Sequence, residues 1–266
     1  MIMKPMLCEK CTPEEARQLC ASGDWIIEQK VDGVRGTIVN GKLYDRKGND
    51  ITDRFPEFAG IGTLQGTYDG EIICTSNDFG DIAGRMHLKD HFQRRMAMER
   101  NPARFVLFDI VETATLPKGK PLLERKAYLL RVADAGTLPS WVMPLPWSTD
   151  FEEMWKRVEQ NGWEGVVMKQ AYSVYEGRRS RSWIKVKAFQ ETQADFTKFE
   201  ENPKGITIET EDGRRVVING AQAHEVKHAI IRNGTVRCNI QFMRSALATS
   251  DAWRFPSYRS IAKEEE

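Results

Sequence analysis

Lys30-Val31-Asp32-Gly33-Val34-Arg35 is where this chain concentrates chemistry. It places an amine, a carboxylate, a flexible turn and a guanidinium directly after the apolar run Trp25-Ile26-Ile27. A lysine amine forms covalent intermediates once desolvation or a neighbouring charge leaves part of it neutral. Gly33 lets backbone approach closely, and the Arg35 fork matches phosphate or ribose oxygens. The combination suits holding a phosphate against a nucleophilic lysine. The same residue types also make ordinary exposed turns, so the reading depends on what lies downstream.

Five further segments could serve the same site. Tyr68-Asp69-Gly70-Glu71 sets Glu71 in a strand just after a glycine, where a backbone can bend towards a ligand. Phe105-Val106-Leu107-Phe108-Asp109 puts the Phe108 ring beside an acid. Trp163-Glu164-Gly165-Val166-Val167-Met168-Lys169 puts Glu164 at the mouth of a buried strand that ends in Lys169. In Trp183-Ile184-Lys185-Val186-Lys187 the alternation directs both lysines to one face. Two such lysines repel unless an anion lies between them, and their charge favours the neutral form of a lysine nearby. Tyr44-Asp45-Arg46-Lys47-Gly48 could present Arg46 to a second phosphate. Singly, each segment has a plain reading as a strand end, a core ring or a solvated sheet face.

Local signals say which elements carry these residues. Thr12-Pro13-Glu14-Glu15 reads as a capping box with proline at the first helical position, and Gly23 stops that helix. The strand that follows delivers Lys30. Asn40-Gly41 between two alternating runs signals a tight hairpin. Further strands are expected at 67–74, 105–111, 163–169 and 182–188, and helices at 89–99, 122–135 and 151–160. The last helix opens on a second box, Thr149-x-x-Glu152, and ends at Gly162. Strands outnumber helices and hairpins join them, which indicates α+β with antiparallel sheets rather than a doubly wound fold. The texture changes near Phe189-Gln190-Glu191. Runs at 205–209 and 214–218 flank an Asp212-Gly213 turn, a helix follows at 221–231, then strands at 235–243 and near Tyr258. That pattern suits a small β-barrel of the oligonucleotide-binding (OB) kind. Two domains are expected, 1–189 and 190–266, with Lys263-Glu264-Glu265-Glu266 a frayed tail.

Composition bounds the partners. Charged residues make up 29% of the 266 and the net charge is +1, so any nucleic-acid contact must come from local clustering. Between Lys169 and Phe189, six Lys or Arg face a single acid, Glu176. Arg178, Arg179 and Arg181 there form a Ser- and Gly-containing loop suited to phosphate backbone. The five cysteines are an odd number, which fits a reducing cytosol. Cys8-x-x-Cys11 has no second pair to complete a zinc site, and His87 and His91 have no third ligand. No stretch of 18 apolar residues and no signal-like start is present, so the expectation is a cytoplasmic protein without membrane contact.

In this order and spacing, Lys-x-Asp-Gly-x-Arg, Asp-Gly-Glu, the aromatic strand, Glu-Gly-Val-Val-x-Lys and Lys-x-Lys resemble the motifs of the covalent nucleotidyltransferases. That superfamily contains DNA ligases, RNA ligases and mRNA capping enzymes. Within it the chain most resembles the minimal ATP-dependent DNA ligases of phages and bacteria, from Pro5-Met6-Leu7 to Arg254-Phe255-Pro256-Ser257-Tyr258-Arg259. The barrel half resembles them more loosely, and only Arg254 and Arg259 resemble its terminal basic motif.

The resemblance implies an adenylyltransferase domain followed by an OB-fold domain, with ATP as AMP donor and Mg²⁺ or Mn²⁺ as the metal. It implies that Lys30 attacks the α-phosphate, that Lys185 and Lys187 hold that phosphate, and that Glu164, with Glu71 and Asp32, binds metal. Glu71 would also bind ribose, Phe108 would stack on adenine, and Glu28 and Lys169 would lie in the nucleotide pocket. Arg35 and Arg46 would bind ribose, phosphate or the nick's 5′ end, and Arg178, Arg179 and Arg181 the DNA backbone. Arg254 and Arg259 would serve the first step. With 29 residues before Lys30, ATP is expected rather than NAD⁺. The implied substrate is nicked duplex DNA, sealed by a monomer without an obligate protein partner. An RNA ligase with the same lysine chemistry is the nearest alternative, followed by a capping-type GMP transferase and by a non-catalytic OB-fold nucleic-acid-binding protein.

Overall fold

Asn40 and Gly41 adopt φ of +46° and +77°, the conformation a two-residue type I′ hairpin demands. Thr12 caps its helix as a full capping box with Glu15. The computed structural model describes residues 4–244 and 253–262, and the chain divides into two compact units, Met1–Lys187 and Ala188–Glu266.

The first unit runs β1 (Leu7–Cys11), α1 (Pro13–Ser22), β2 (Trp25–Gln29), β3 (Val34–Val39), β4 (Lys42–Asp45), β5 (Thr67–Cys74), α2 (Phe79–Arg85), α3 (His91–Arg100), β6 (Ala103–Glu112), α4 (Leu122–Asp134), β7 (Val142–Pro144), β8 (Trp147–Ser148), α5 (Phe151–Asn161), β9 (Gly165–Gln170) and β10 (Arg179–Lys187). These strands form two sheets, ordered β1-β10-β9-β2-β8 and β4-β3-β5-β6-β7. Val106 and Phe108 of one sheet pack with Trp183 of the other in a shared buried cluster with Met6 and Tyr175, so the sheets face each other. On α5, Phe151, Met154, Trp155 and Val158 are the buried residues. Their i, i+3, i+4, i+7 spacing makes one apolar stripe, and each such side chain contributes roughly 1.5–3 kcal/mol by leaving water.

The second unit comprises β11 (Gln190–Asn202), β12 (Gly205–Thr210), β13 (Arg215–Asn219), α6 (Ala221–Asn233), β14 (Val236–Arg244) and β15 (Trp253–Ile261). Its antiparallel sheet is ordered β13-β12-β11-β14-β15, and the two edge strands approach each other, curling the sheet towards a barrel. Ala223, Val226 and Ile230 of α6 join its core with Phe196, Ile208 and Ile240. This is an α+β architecture with an OB-like second half. No helix among the described residues is long and apolar enough to cross a membrane.

Several local expectations shift. The cap of α5 is Asp150, whose side chain accepts from the Glu153 N–H, rather than Thr149 with Glu152. Ser148 Oγ accepts from the Asp150 N–H at 3.0 Å and sets that register. The lysine strand begins at Arg179, so Arg179 and Arg181 are strand residues and only Arg178 precedes it. Its parallel pairing with β1 extends it beyond what its own alternation indicated. Helix α2 and strand β1 were not expected. The residues 263–266 of the tail lie outside those described.

Candidate active site

Strand pairing brings the chemical residues together. β2 runs antiparallel to β9 with Glu28 opposite Val167, and the Lys30 N–H donates to the Gly165 carbonyl at 2.8 Å. β10 pairs with β9 so that Lys187 lies opposite Gly165 and Lys185 opposite Val167. Lys30, Glu164 and Lys187 therefore meet at one end of three adjacent strands. Lys30 Nζ pairs with Glu164 Oε2, and Lys187 Nζ lies 2.7 Å from Oε1. Burial pushes the Glu164 carboxyl up, but Lys30 and Lys187 outweigh it and hold the group below the usual carboxylate range. Gly165 makes the junction possible. Its φ is +141°, and a Cβ there would stand 2.0 Å from the Val186 carbonyl oxygen.

The second sheet supplies the facing wall. Arg35 lies opposite Glu71 and Glu71 opposite Val106. Between Asp69 and Gly70 the pairing with β6 slips at Phe108, a bulge of the kind that re-aims a side chain. A Cβ on Gly33 would meet the Ile72 carbonyl at 2.3 Å and Glu71 Cγ at 2.9 Å, so only glycine lets the Lys30–Arg35 turn lie against β5. The pocket between the sheets is lined by Lys30, Arg35, Glu71, Phe108 and Lys185, and also by Cys8, Glu28, Lys169 and Trp183. Burial raises the Glu71 carboxyl to about 7, against the pull of Arg35 and Lys30 and with added repulsion from Asp69 and Glu164. Burial, with the charges of Lys187 and Lys30, lowers the Lys185 ammonium.

Several expected ligand groups are held by the protein itself. Arg35 forks onto Asp69 at 2.7 and 2.6 Å and reaches the Met6 carbonyl at 3.2 Å. Glu28 is 1% exposed and paired with Lys126 and Lys169. Phe108 is buried, edge-on to Trp183, with the Arg35 guanidinium 4.6 Å and Lys169 Nζ 4.2 Å from its ring centre. Asp32 lies in the turn between β2 and β3. Among the described residues no three His, Cys, Asp or Glu side chains converge as a metal cage, and Cys8 and Cys11 are free thiols on β1.

The remaining candidates sit elsewhere. Arg46 lines a separate cleft with Lys4, Lys47 and Arg178. Arg178, Arg179 and Arg181 are exposed, Arg178 paired with Glu176 and Arg179 donating to the Cys8 carbonyl. Arg254 and Arg259 lie on β15 of the second unit, where Arg259 bonds to Gln241.

Residues 5–187 match the sequence model of the family described as ATP dependent DNA ligase domain. The chain belongs to that family. Among curated members it is similar to the bifunctional non-homologous end joining protein LigD of Bacillus subtilis, 27% identical over 216 residues, covering 70% of this chain and 35% of the relative. A probable DNA ligase of Streptomyces coelicolor is 32% identical over 207 residues, covering 69% and 38%. The chain thus spans little more than a third of the length of these ligase relatives. Among solved structures, a Lig E DNA ligase superposes with a TM-score of 0.71 at 18% identity, covering 98% of this chain and 100% of that one. A mycobacterial DNA ligase D complexed with ATP and MES gives 0.59 at 18% identity over 99% and 96%. At these identities the structural likeness concerns the ligase fold alone.

Three residues that shape the family site here carried no sequence signal. Lys126 reads as a solvated helix position, Tyr175 as a loop residue, and Cys8 as half of an incomplete metal pair. Asp69 stood in plain view inside Asp69-Gly70-Glu71, but its use as the anchor of Arg35 depends on the pairing of β3 with β5.

Proposed function

We propose that the protein seals nicks bearing a 5′-phosphate and a 3′-hydroxyl in duplex DNA, using ATP through a lysyl-AMP intermediate. The observation that carries this reading is the convergence of Lys30, Glu164 and Lys187 at the rim of a pocket lined by Arg35, Glu71 and Lys185. In the first step the Lys30 amine attacks the α-phosphorus, a P–N bond forms, and pyrophosphate leaves. The AMP then passes to the nick's 5′-phosphate, and the 3′-hydroxyl displaces it as the strand closes. All three are in-line displacements at phosphorus, so the protein acts by positioning and neutralising charge. Glu164 fixes the Lys30 amine at the rim, while Lys185 and Lys187 face the phosphate. Family membership of residues 5–187 supports ATP as the donor.

Glu71 and Glu164 also fit a hard divalent cation. Both offer carboxylate oxygens beside the phosphate position, and burial raises the Glu71 carboxyl to about 7 despite the nearby charges of Arg35 and Lys30. Mg²⁺ or Mn²⁺, bound by one or two carboxylates plus phosphate oxygens, would withdraw charge from the phosphates. Arg46 and Arg178 are assigned to the DNA backbone. One chain suffices in this reading, because the segments that carry Lys30, Glu71, Phe108, Glu164, Lys185 and Lys187 all fall within residues 1–187.

The test is the intact mass of the protein after incubation with Mg²⁺ and equal ATP and GTP. A single AMP adduct, absent in Lys30→Ala, is expected, together with sealing of nicked DNA but not of nicked RNA duplexes. A GMP adduct would move the protein to capping chemistry. No adduct, with prior adenylation excluded, would overturn the reading.

A further inference from the structure

Two imidazoles stand one turn apart on α6 of the second unit. That helix, Ala221–Asn233, buries Ala223, Val226 and Ile230, and His224 and His228 fall on its exposed side. At i, i+4 spacing the two side chains are neighbours, with Cβ atoms roughly 5–6 Å apart. One ring nitrogen of each can therefore meet a single ion. His87 and His91 share the spacing but not the helix, since α3 begins only at His91. With Glu225 between them, His224 and His228 read His-Glu-x-x-His, the pattern by which a helix presents two imidazoles to a divalent cation. Hydrolytic use of that pattern needs a third protein ligand. Among the described residues no three His, Cys, Asp or Glu converge, so the segment is a binding pair.

The charges around the pair balance. Lys227 and Arg232 share the helix with Glu225, and Glu201 of β11 bonds to Lys227. That bond is the main cause holding the Glu201 carboxyl below its usual range, and the charge of His224 adds to it. Glu201 is thus within electrostatic reach of His224. The helix also has a use for a clamp. Gly220 gives its N-terminus no side-chain cap, and an ion on His224 and His228 ties two successive turns together.

We propose that His224 and His228 bind a borderline divalent cation of the zinc class, and that occupancy stabilises α6. Imidazole suits Zn²⁺, Ni²⁺ and Cu²⁺, whereas Mg²⁺ prefers oxygen ligands and keeps its water. Each neutral ring supplies one nitrogen, and water completes the coordination. The inference is independent of the ligase reading.

Calorimetric titration of the full chain with Zn²⁺, in excess Mg²⁺, tests it. Wild type should take up one Zn²⁺ at this site. His224→Gln and His228→Gln should each weaken that binding at least about tenfold, because the second imidazole of a chelate acts at high effective concentration. Glu225→Gln, which removes a charge but no ring, should stay within about threefold of wild type. Without metal, both histidine variants should unfold at the wild-type urea midpoint, and Zn²⁺ should raise that midpoint in wild type alone. Equal Zn²⁺ affinity in wild type and the double histidine variant would place the ion on the free thiols and overturn the inference. A loss confined to one histidine variant would overturn the pairing, as would a wild type that takes up no Zn²⁺ or yields it to Mg²⁺.

Discussion

Lys30 sits beside Glu164 because β2 runs antiparallel to β9, and its ammonium pairs directly with the Glu164 carboxylate. The same carboxylate holds Lys187 at 2.7 Å, so one side chain fixes both cations at the rim. Glu164→Gln keeps the shape and removes the charge. Its nucleotide attachment should fall roughly 100- to 1,000-fold, the usual cost of deleting a preorganised electrostatic group. The time course of adduct formation by intact mass measures it. A loss below about tenfold would reduce Glu164 to a structural strand end.

Glu71 predicts an unusual pH dependence of stability. Its folded carboxyl titrates near about 7 because of burial, well above the range of an unfolded glutamate. Between those values the native state holds a proton that the unfolded chain has released. The group's contribution to stability is therefore intact at low pH and is lost as pH rises towards and through 7. Glu71→Gln removes that liability. In metal-free buffer the variant should gain on wild type from pH 5 to pH 8, by at most about 3 kcal/mol at roughly 1.4 kcal/mol per pH unit. Urea midpoints across this range decide it, and parallel curves would show that Glu71 titrates normally.

What the sequence made legible follows from how local each signal is. The strand expected at 67–74 matches Thr67–Cys74, because alternation and its flanking turns are written in adjacent residues. The Asn40-Gly41 hairpin and the Thr12 cap are local in the same sense. β1 acquires its identity only by parallel pairing with β10, some 170 residues away, and nothing near Leu7 announces it. Lys126 follows the same logic. A lysine on an amphipathic helix signals solvent, and only the packing of α4 reveals that its ammonium ends on Glu28. The motif residues themselves were readable, whereas their convergence depends on strand registers.

Tyr175 should prove a structural anchor of the Arg35 wall. Its hydroxyl accepts from the Met6 N–H at 2.8 Å and donates to Asp69 Oδ2 at 2.5 Å, and Asp69 in turn holds Arg35. Tyr175→Phe strands the Met6 N–H and removes a bond to a buried carboxylate, a loss of roughly 1.5–3 kcal/mol. Asp69→Asn goes further, because it removes the charge that the Arg35 guanidinium is paired with, and should cost about 3–5 kcal/mol. Denaturant unfolding of both variants should rank them in that order. Equal stability of Tyr175→Phe and wild type would remove Tyr175 from the network.

The cleft shared by Lys4, Arg46, Lys47 and Arg178 should govern the salt dependence of nick binding. Removing one charged group from a DNA phosphate flattens the slope of log affinity against log salt by about 0.9. Arg46→Ala should flatten it by about that amount. Arg178 begins from a different state, since Glu176 already pairs with it while also accepting from Ser180. DNA must therefore displace Glu176 before Arg178 can contribute. Arg178→Ala should cost less affinity than Arg46→Ala, and Glu176→Gln should tighten nick binding, most clearly at low ionic strength. Fluorescence anisotropy with a nicked duplex over a salt series tests all three variants together. Identical slopes for wild type, Arg46→Ala and Arg178→Ala would take this cleft off the DNA path.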